Sequence, residues 1–139
     1  MITPLSRDEA CALLTECRLG RLGCTDAGGP YVVPVNYVFD GQNIYVHSLP
    51  GRKLAALRAN PRACLQVDNI IDEYRWRSAI AFGVYEDVSD PAERERAVRL
   101  LLARFPQLTP VESVPVHDGQ SSVIIFRIRV DEVTGVGEK

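Results

Sequence analysis

The chain has 139 residues, of which 46% are hydrophobic and 24% are charged, and its formal net charge is −2. This length and composition predict a single globular domain, residues 1–139, with its own hydrophobic core. The small net charge gives the molecule as a whole no attraction to nucleic acid or to an anionic membrane, and no apolar run approaches the roughly 18 residues of a membrane-spanning helix.

Histidines and cysteines are few and widely spaced. The two histidines, His47 and His117, have no ligand spacing around them, so we expect no metal site. The four cysteines form no C-x-x-C pair and no disulfide framework. Because no signal peptide is recognisable at the start, we expect a cytoplasmic protein whose thiols are reduced and mostly buried.

The first half of the chain predicts a helix followed by strands. Ser6 and Glu9 have the spacing of a capping box, so a short helix is expected behind them. Three strands follow, at residues 18–25, 31–39 and 43–48. Pro34 cannot donate to a strand ladder, so its part of the second strand is expected at a sheet edge, at a bulge or against a ligand.

The second half adds two helices and three strands. The helices are predicted at residues 52–59 and 89–105, and the second has Asp90 as its N-cap and Pro91 in its first turn. The strands are predicted at residues 63–68, 76–88 and 121–133, with a polar connection after the first and a tail after the last. About six strands joined mostly by tight turns predict a mainly β protein, a largely antiparallel barrel that is closed or nearly closed, with peripheral helices.

Two cations, Arg52 and Lys53, begin the helix predicted at residues 52–59. The N-terminus of a helix carries a partial positive charge, so each cation there costs about 0.3–1 kcal/mol unless a carboxylate or a bound anion compensates it. The spacing around Gly51 fits neither a P-loop nor a dinucleotide fingerprint. Two interpretations remain: a solvated pair of cations, or a phosphate clamp built from free helix N–H groups, the Ser48 hydroxyl and both side chains.

Polar residues in neighbouring strands favour a bound ligand. Asn36 interrupts an apolar strand, and its amide can both donate to and accept from the edge of a heterocycle. Trp76, Arg77 and Ser78 place an aromatic ring, a cation and a hydroxyl at the start of another strand. Core packing is an alternative for Trp76, and a satisfied histidine at a strand end is an alternative for His47. Together these residues indicate a planar polar ligand with a phosphate tail.

Over roughly residues 3–137, the chain resembles the pyridoxamine 5′-phosphate oxidase-like FMN-binding split-barrel proteins. Within this family it is most similar to the 5-nitroimidazole reductase (nitroimidazole-resistance) branch. The segments that carry the resemblance are GRLG (20–23), PYVVPVNYVFDGQNIYVHS (30–48), GRKLAALRANPRACLQVD (51–68) and WRSAIAFGVYEDV (76–88).

The resemblance implies a six-stranded antiparallel split β-barrel that forms a homodimer, with FMN bound at the interface. The implied cofactor-binding residues are Val33, Pro34, Val35 and Asn36 along the isoalloxazine ring, His47 and Ser48 beside the ring and the ribityl chain, Arg52 and Lys53 at the phosphate, and Trp76, Arg77 and Ser78 reaching the flavin held mainly by the other chain.

The activity implied by the resemblance is that of an FMN-dependent oxidoreductase. It would reduce small oxidants such as nitroaromatic compounds with electrons from a reduced nicotinamide, and His47 would shuttle a proton or position the ring. The alternative is a sensor or carrier protein that binds a flavin or deazaflavin without turnover. Arg127 and Arg129 are followed by no histidine, so the R-x-H-like motif of the true pyridoxamine-phosphate oxidases is missing and vitamin B6 synthesis is not expected.

Overall fold

The computed structural model describes residues 1–106 and 123–138. These residues form three helices and eight strands. The helices are α1 (Arg7–Glu16), α2 (Arg52–Ala59) and α3 (Pro91–Arg104). The strands are β1 (Ile2–Pro4), β2 (Leu19–Asp26), β3 (Gly29–Asn36), β4 (Val38–Phe39), β5 (Asn43–Ser48), β6 (Arg62–Asp72), β7 (Arg75–Asp87) and β8 (Ile124–Glu138).

The predicted helices and strands are confirmed, with differences at Tyr37, at the connection between β6 and β7, and at the end of β8. The strand predicted at residues 31–39 is interrupted at Tyr37, whose buried hydroxyl donates to the Leu14 carbonyl of α1. The predicted polar connection after residue 68 is instead the β6–β7 hairpin, and the predicted tail is the end of β8, where residues 136–138 pair with both β1 and β7. Residues 121–122 of the last predicted strand lie outside the described residues, as does His117.

All strands belong to one antiparallel sheet in the order β3-β2-β6-β7-β8-β5-β4, and β1 pairs with β8. The mainly β antiparallel prediction is confirmed, but the described sheet has eight strands rather than six and is not closed by hydrogen bonds between β3 and β4. It is nevertheless curled, because Val35 of β3 and Phe39 of β4 lie in the same core cluster. Pro34 therefore lies on an edge strand, one of the three positions expected for it.

The core lies inside the curled sheet, and α1 and α2 pack against it. Leu13 and Leu14 of α1 and Leu57 of α2 are fully buried there, where shortening a leucine to alanine typically costs about 2–5 kcal/mol. A second cluster, which includes Tyr45 and Leu101, lies between α3 and the sheet. No helix in residues 1–106 or 123–138 is long and apolar enough to span a membrane.

Alternation along the strands defines an outer face of the sheet, turned away from the core. Ala79 and Ala81 of β7 are buried in the core, so Ser78 and Ile80, which alternate with them, point to the outer face. The register places Leu19 of β2 and Val136 of β8 on the same side, where they are 49% and 42% exposed. The outer face is thus partly apolar.

The four cysteines are free thiols, and each is half-buried. The expectation that they are mostly buried is therefore wrong in degree, because they lie where strands and helices meet the surface rather than at the centre of the core. Burial raises the pKa of the Cys17 and Cys24 thiols, so these two are protonated at neutral pH.

Candidate functional site

The first turn of α2 contains no side chain that caps it. Gly51 occupies the N-cap position, and no acidic residue follows it in that turn. The other two helices differ, because Ser6 and Asp90 each accept a hydrogen bond from a backbone N–H of the first turn, as the sequence predicts. The start of α2 is therefore an electropositive region of the candidate site, formed by free backbone N–H groups and by the two cations Arg52 and Lys53.

Arg52 has a carboxylate partner from another part of the chain. Its Nε donates to the Asp26 carboxylate, and its guanidinium carbon lies 4.9 Å from the centre of the Tyr31 ring. The hydrogen bond to Asp26 is the main reason that the pKa of Arg52 is raised above its ordinary value. A carboxylate therefore compensates the first of the two cations at the helix start.

Lys53 has no such compensation. Its side chain is half-buried, and no carboxylate in residues 1–106 or 123–138 forms an ion pair with it. Burial without a compensating charge lowers the pKa of Lys53 below its ordinary value of 10.5. A partly buried ammonium beside free helix N–H groups is stabilised by a bound anion, so Lys53 is the cation that fits the clamp interpretation.

A tight hairpin turn positions the partners of Arg52. Ala27 and Gly28 both have positive φ angles, 52° and 84°, as in a two-residue type I′ turn, and Asp26 pairs with Gly29 across it. Cys24 lies opposite Tyr31, so Asp26, two residues further along β2, is on the same face as the tyrosine ring. The sequence predicts the strands on either side of this turn but not the contacts of Asp26 and Tyr31 with Arg52, although strand alternation around a two-residue turn places both residues on one face.

The strand predicted to run along the cofactor divides between two faces. Val33 and Val35 contact the core, whereas the side chains of Pro34 and Asn36 are exposed on the outer face. No described strand pairs with the free edge of β3, so part of its backbone remains available to a ligand. The backbone of residues 33–36 and the Asn36 amide are therefore accessible to a ligand, whereas the side chains of Val33 and Val35 pack against the core.

His47 and Ser48 do not lie side by side. Successive residues of β5 point to opposite faces, and His47 shares the face of Tyr45, which packs beneath α3. Ser48 is 3% exposed on the core side, where its hydroxyl donates to the Leu49 carbonyl at 2.8 Å. Of the two side chains, Ser48 is the one that supports the loop leading to Arg52 and Lys53.

Trp76, Arg77 and Ser78 lie far from the cations of the same chain. Tyr31, the ring beside Arg52, lies opposite Cys24 of β2, and the β2–β6 register places Cys24 opposite Ala63 of β6. Trp76 instead pairs with Ile70, near the other end of β6. Ile70 is seven residues after Ala63, a separation of roughly 23 Å at about 3.3 Å per residue. One chain alone therefore does not bring Trp76 to the α2 cations.

The three residues at the start of β7 also have different surroundings. Ser78 Oγ accepts from Gln66 Nε2 at 2.9 Å on the outer face. Arg77 points the other way, with its guanidinium 3.8 Å from the Glu16 carboxylate. Trp76 and Arg77 both line a cavity of about 280 Å³ beside β1 and the β6–β7 hairpin.

Among the described residues, no group of three or more His, Cys, Asp or Glu could hold a metal ion.

Comparisons with known proteins identify relatives over the whole chain. Residues 6–136 match the protein family described as pyridoxamine 5′-phosphate oxidase. An uncharacterized protein of Rhizobium meliloti (strain 1021) is 32% identical over 140 residues, which cover 94% of this chain and 91% of the relative.

Solved structures show the same fold. An FAD-binding protein from Mesorhizobium loti has a TM-score of 0.82 and 31% identity, with 100% of this chain and 99% of the other covered. A protein described as a candidate 5-nitroimidazole antibiotic resistance protein, from Bacteroides thetaiotaomicron, has a TM-score of 0.78 and 22% identity, with 99% of this chain and 89% of the other covered.

Proposed function

Because the chain belongs to the pyridoxamine 5′-phosphate oxidase family, as its resemblance predicts, we propose that it is a flavoprotein that binds FMN at the start of α2. The observation that carries this proposal is the half-buried Lys53, whose charge lacks a carboxylate partner in the described part of the chain, beside a helix start without a side-chain cap. The residues present therefore fit a phosphate. The FAD-binding relative at 31% identity supports a flavin as the molecule that carries this phosphate.

Three parts of the chain would hold the cofactor. Lys53 and the free N–H groups of α2 bind the phosphate, and Arg52 adds the donors that Asp26 leaves unused. The free edge of β3, with the backbone of Val33, Pro34 and Val35 and the amide of Asn36, would hold the isoalloxazine ring. Ser48 holds the loop between β5 and α2 through its bond to Leu49.

We further propose that the protein is an oxidoreductase. When bound, the flavin supplies the redox chemistry, taking electrons from a reduced nicotinamide and delivering them to a small oxidant such as a nitroaromatic compound. The protein supplies binding, orientation and access. This proposal assigns no proton-shuttle role to His47, whose side chain lies on the α3 face of β5.

The proposed site is completed by a second copy of the chain. Trp76 lies roughly 23 Å along the sheet from the row of Tyr31, the ring beside Arg52, which is too far for side chains of one chain to span. Trp76, Arg77 and Ser78 would therefore reach the flavin of a partner protomer in a homodimer. The partly apolar outer face, with Val32 64% exposed, supports such an interface. Light scattering at micromolar concentration is expected to give a dimeric mass, and a flavin-loaded monomer would contradict the shared site.

The direct test is the identity and reactivity of the cofactor. We expect the purified protein to be yellow and to release FMN on heating, as identified by mass, which also separates FMN from FAD and from a deazaflavin. Anaerobic addition of NADH or NADPH is expected to bleach the flavin. Bleaching by dithionite alone would favour a carrier or sensor, and a protein that neither retains nor binds added flavin would refute the proposal.

A further inference from the structure

We propose that Asp26 is a positioning residue for the cofactor phosphate, which it acts on through Arg52. In this inference, which rests on the proposed function, Asp26 and the Tyr31 ring fix the plane of the Arg52 guanidinium so that its Nη groups face the anion at the start of α2. Asp26 would not itself contact the phosphate.

The contact between Asp26 and Arg52 leaves most of the guanidinium donors unused. Arg52 donates to Asp26 through Nε, and in the described residues neither Nη1 nor Nη2 has a hydrogen-bond partner. A guanidinium has five N–H donors in a planar fork, so a carboxylate that holds the Nε side leaves the outer edge of the fork open. Phosphate is bound most specifically by two parallel N–H donors of such a fork.

Without its partners, Arg52 would be poorly ordered. The arginine side chain is 71% exposed, and it lies at the first residue of an eight-residue helix. The tyrosine ring 4.9 Å beneath the guanidinium restricts its tilt, and the carboxylate restricts its rotation within the plane. Holding the fork in one orientation before the ligand arrives reduces the side-chain entropy that is lost on binding.

The hairpin makes Asp26 a firm support for Arg52. Asp26 is the last residue of β2, directly before the two-residue turn, and its side chain is 22% exposed. Backbone pairing with Gly29 holds Asp26, and the pairing of Cys24 with Tyr31 holds the ring, so both contacts of Arg52 come from one rigid hairpin. The hairpin contributes no other charged side chain to the contact with Arg52.

A competing interpretation predicts the opposite effect. If Asp26 merely occupies Arg52 until phosphate displaces it, removing the negative charge would strengthen FMN binding. If Asp26 orients Arg52, removing its charge would weaken FMN binding. The sign of the change in affinity therefore separates the two.

The experiment compares FMN and riboflavin binding to the apoprotein by fluorescence titration. Asp26→Asn is expected to weaken FMN binding about fivefold, within the range expected when one long side chain must be ordered on binding. Riboflavin has no phosphate, so its affinity is expected to stay the same. Asp131→Asn is the matched control, because Asp131 forms an exposed ion pair with Arg62 elsewhere, and it is expected to leave FMN affinity unchanged.

An Arg52→Lys background separates positioning from a general structural effect. Lysine lacks the planar fork, so adding Asp26→Asn to Arg52→Lys is expected to change FMN affinity less than about twofold. Unchanged or stronger FMN binding by Asp26→Asn, an equal loss of riboflavin binding, or a full fivefold loss in the Arg52→Lys background would each overturn the inference. If the wild-type protein binds FMN but Asp26→Asn does not weaken that binding, the inference fails and the proposed function stands. If the wild-type protein binds no flavin, the inference and the proposed function both fail.

Discussion

The starts of α1 and α3 have side chains that accept hydrogen bonds from the backbone N–H groups of the first turn. The start of α2 has no such side chain and has two cations instead. In α1, Ser6 and Glu9 form a reciprocal capping box with N···O distances of 3.1 and 2.9 Å. In α3, Asp90 accepts from the Glu93 N–H at 3.0 Å. In α2, Gly51 offers no side chain, and among residues 1–106 and 123–138 the carboxylate that compensates Arg52 is that of Asp26, 26 residues away.

This difference separates a helix start that serves the fold from one that serves a ligand. A capped start satisfies N–H groups within the chain and stabilises the folded state. An open start with cations is less favourable in the apoprotein, but it becomes favourable once an anion binds. A substitution at the start of α2 that adds a cap or removes a cation is therefore expected to stabilise the apoprotein and to weaken flavin binding.

The largest effect is expected from Lys53→Ala. Losing a charged hydrogen bond to phosphate costs about 1.5–3 kcal/mol, so FMN affinity should fall roughly ten- to a hundredfold. The melting temperature of the apoprotein should hold or rise, because a partly buried cation leaves a helix start. Fluorescence titration and thermal unfolding measure both, with Arg99→Ala, an exposed cation of α3, as control. Unchanged FMN affinity would identify Lys53 as a solvated cation.

Gly51→Asp would give α2 the kind of start that α3 has. The backbone at Gly51 is extended, and an added Cβ would meet open space, so the substitution fits without strain. Apoprotein stability should rise by a few tenths of a kcal/mol, while repulsion of the phosphate weakens FMN binding about tenfold. Gly51→Ser, a neutral cap, should give the stability gain with little loss of affinity. Equal FMN binding by both variants would argue against an anion at this helix start.

Asp90→Ala tests the opposite case, a start that serves the fold. Removing the acceptor of the Glu93 N–H should lower the free energy of unfolding by about 1 kcal/mol and leave FMN affinity unchanged. Urea unfolding of the apoprotein measures this, and Ser89→Ala, an exposed neighbour, is the control. A loss of FMN affinity in Asp90→Ala without unfolding would mean that the two helix starts are not functionally distinct.

The smallest effect is a pH dependence of apoprotein stability. Burial lowers the pKa of folded Lys53 below 10.5, so between the folded pKa and 10.5 the unfolded chain binds more protons. The contribution of Lys53 to stability should therefore rise with pH in that window and be absent in Lys53→Met. Urea unfolding at several alkaline pH values gives the difference between the two proteins. Bound FMN should remove this rise in stability with pH, because the phosphate favours the ammonium form of Lys53. A rise that persists with FMN bound would contradict the contact between Lys53 and the phosphate.

The parts of the fold that the sequence predicts are those with local causes. Ser6, Glu9 and Asp90 act on N–H groups three residues away, so their caps could be predicted and are confirmed. The strand β1 and the long end of β8 could not, because their residues pair with partners far along the chain. The break at Tyr37 likewise depends on a hydrogen bond to Leu14 of α1.

The site follows the same rule. The sequence points to Arg52 and Lys53, because two cations conflict with the dipole of their own helix, a conflict that is visible locally. The role of Asp26 cannot be predicted in this way, because its contact with Arg52 crosses 26 residues and depends on how the β2–β3 hairpin packs beside α2. The opposite orientations of His47 and Ser48 follow from strand alternation, a pattern that is also local.

The central claim is that the start of α2 binds the cofactor by its phosphate, and the most direct measurement is the affinity of the wild-type apoprotein for FMN relative to riboflavin. The two ligands share the ring and the ribityl chain and differ only in the phosphate. We predict that FMN binds at least about tenfold more tightly, the contribution of one charged hydrogen bond to phosphate. Equal affinities would contradict the account, because the ring alone would then explain binding.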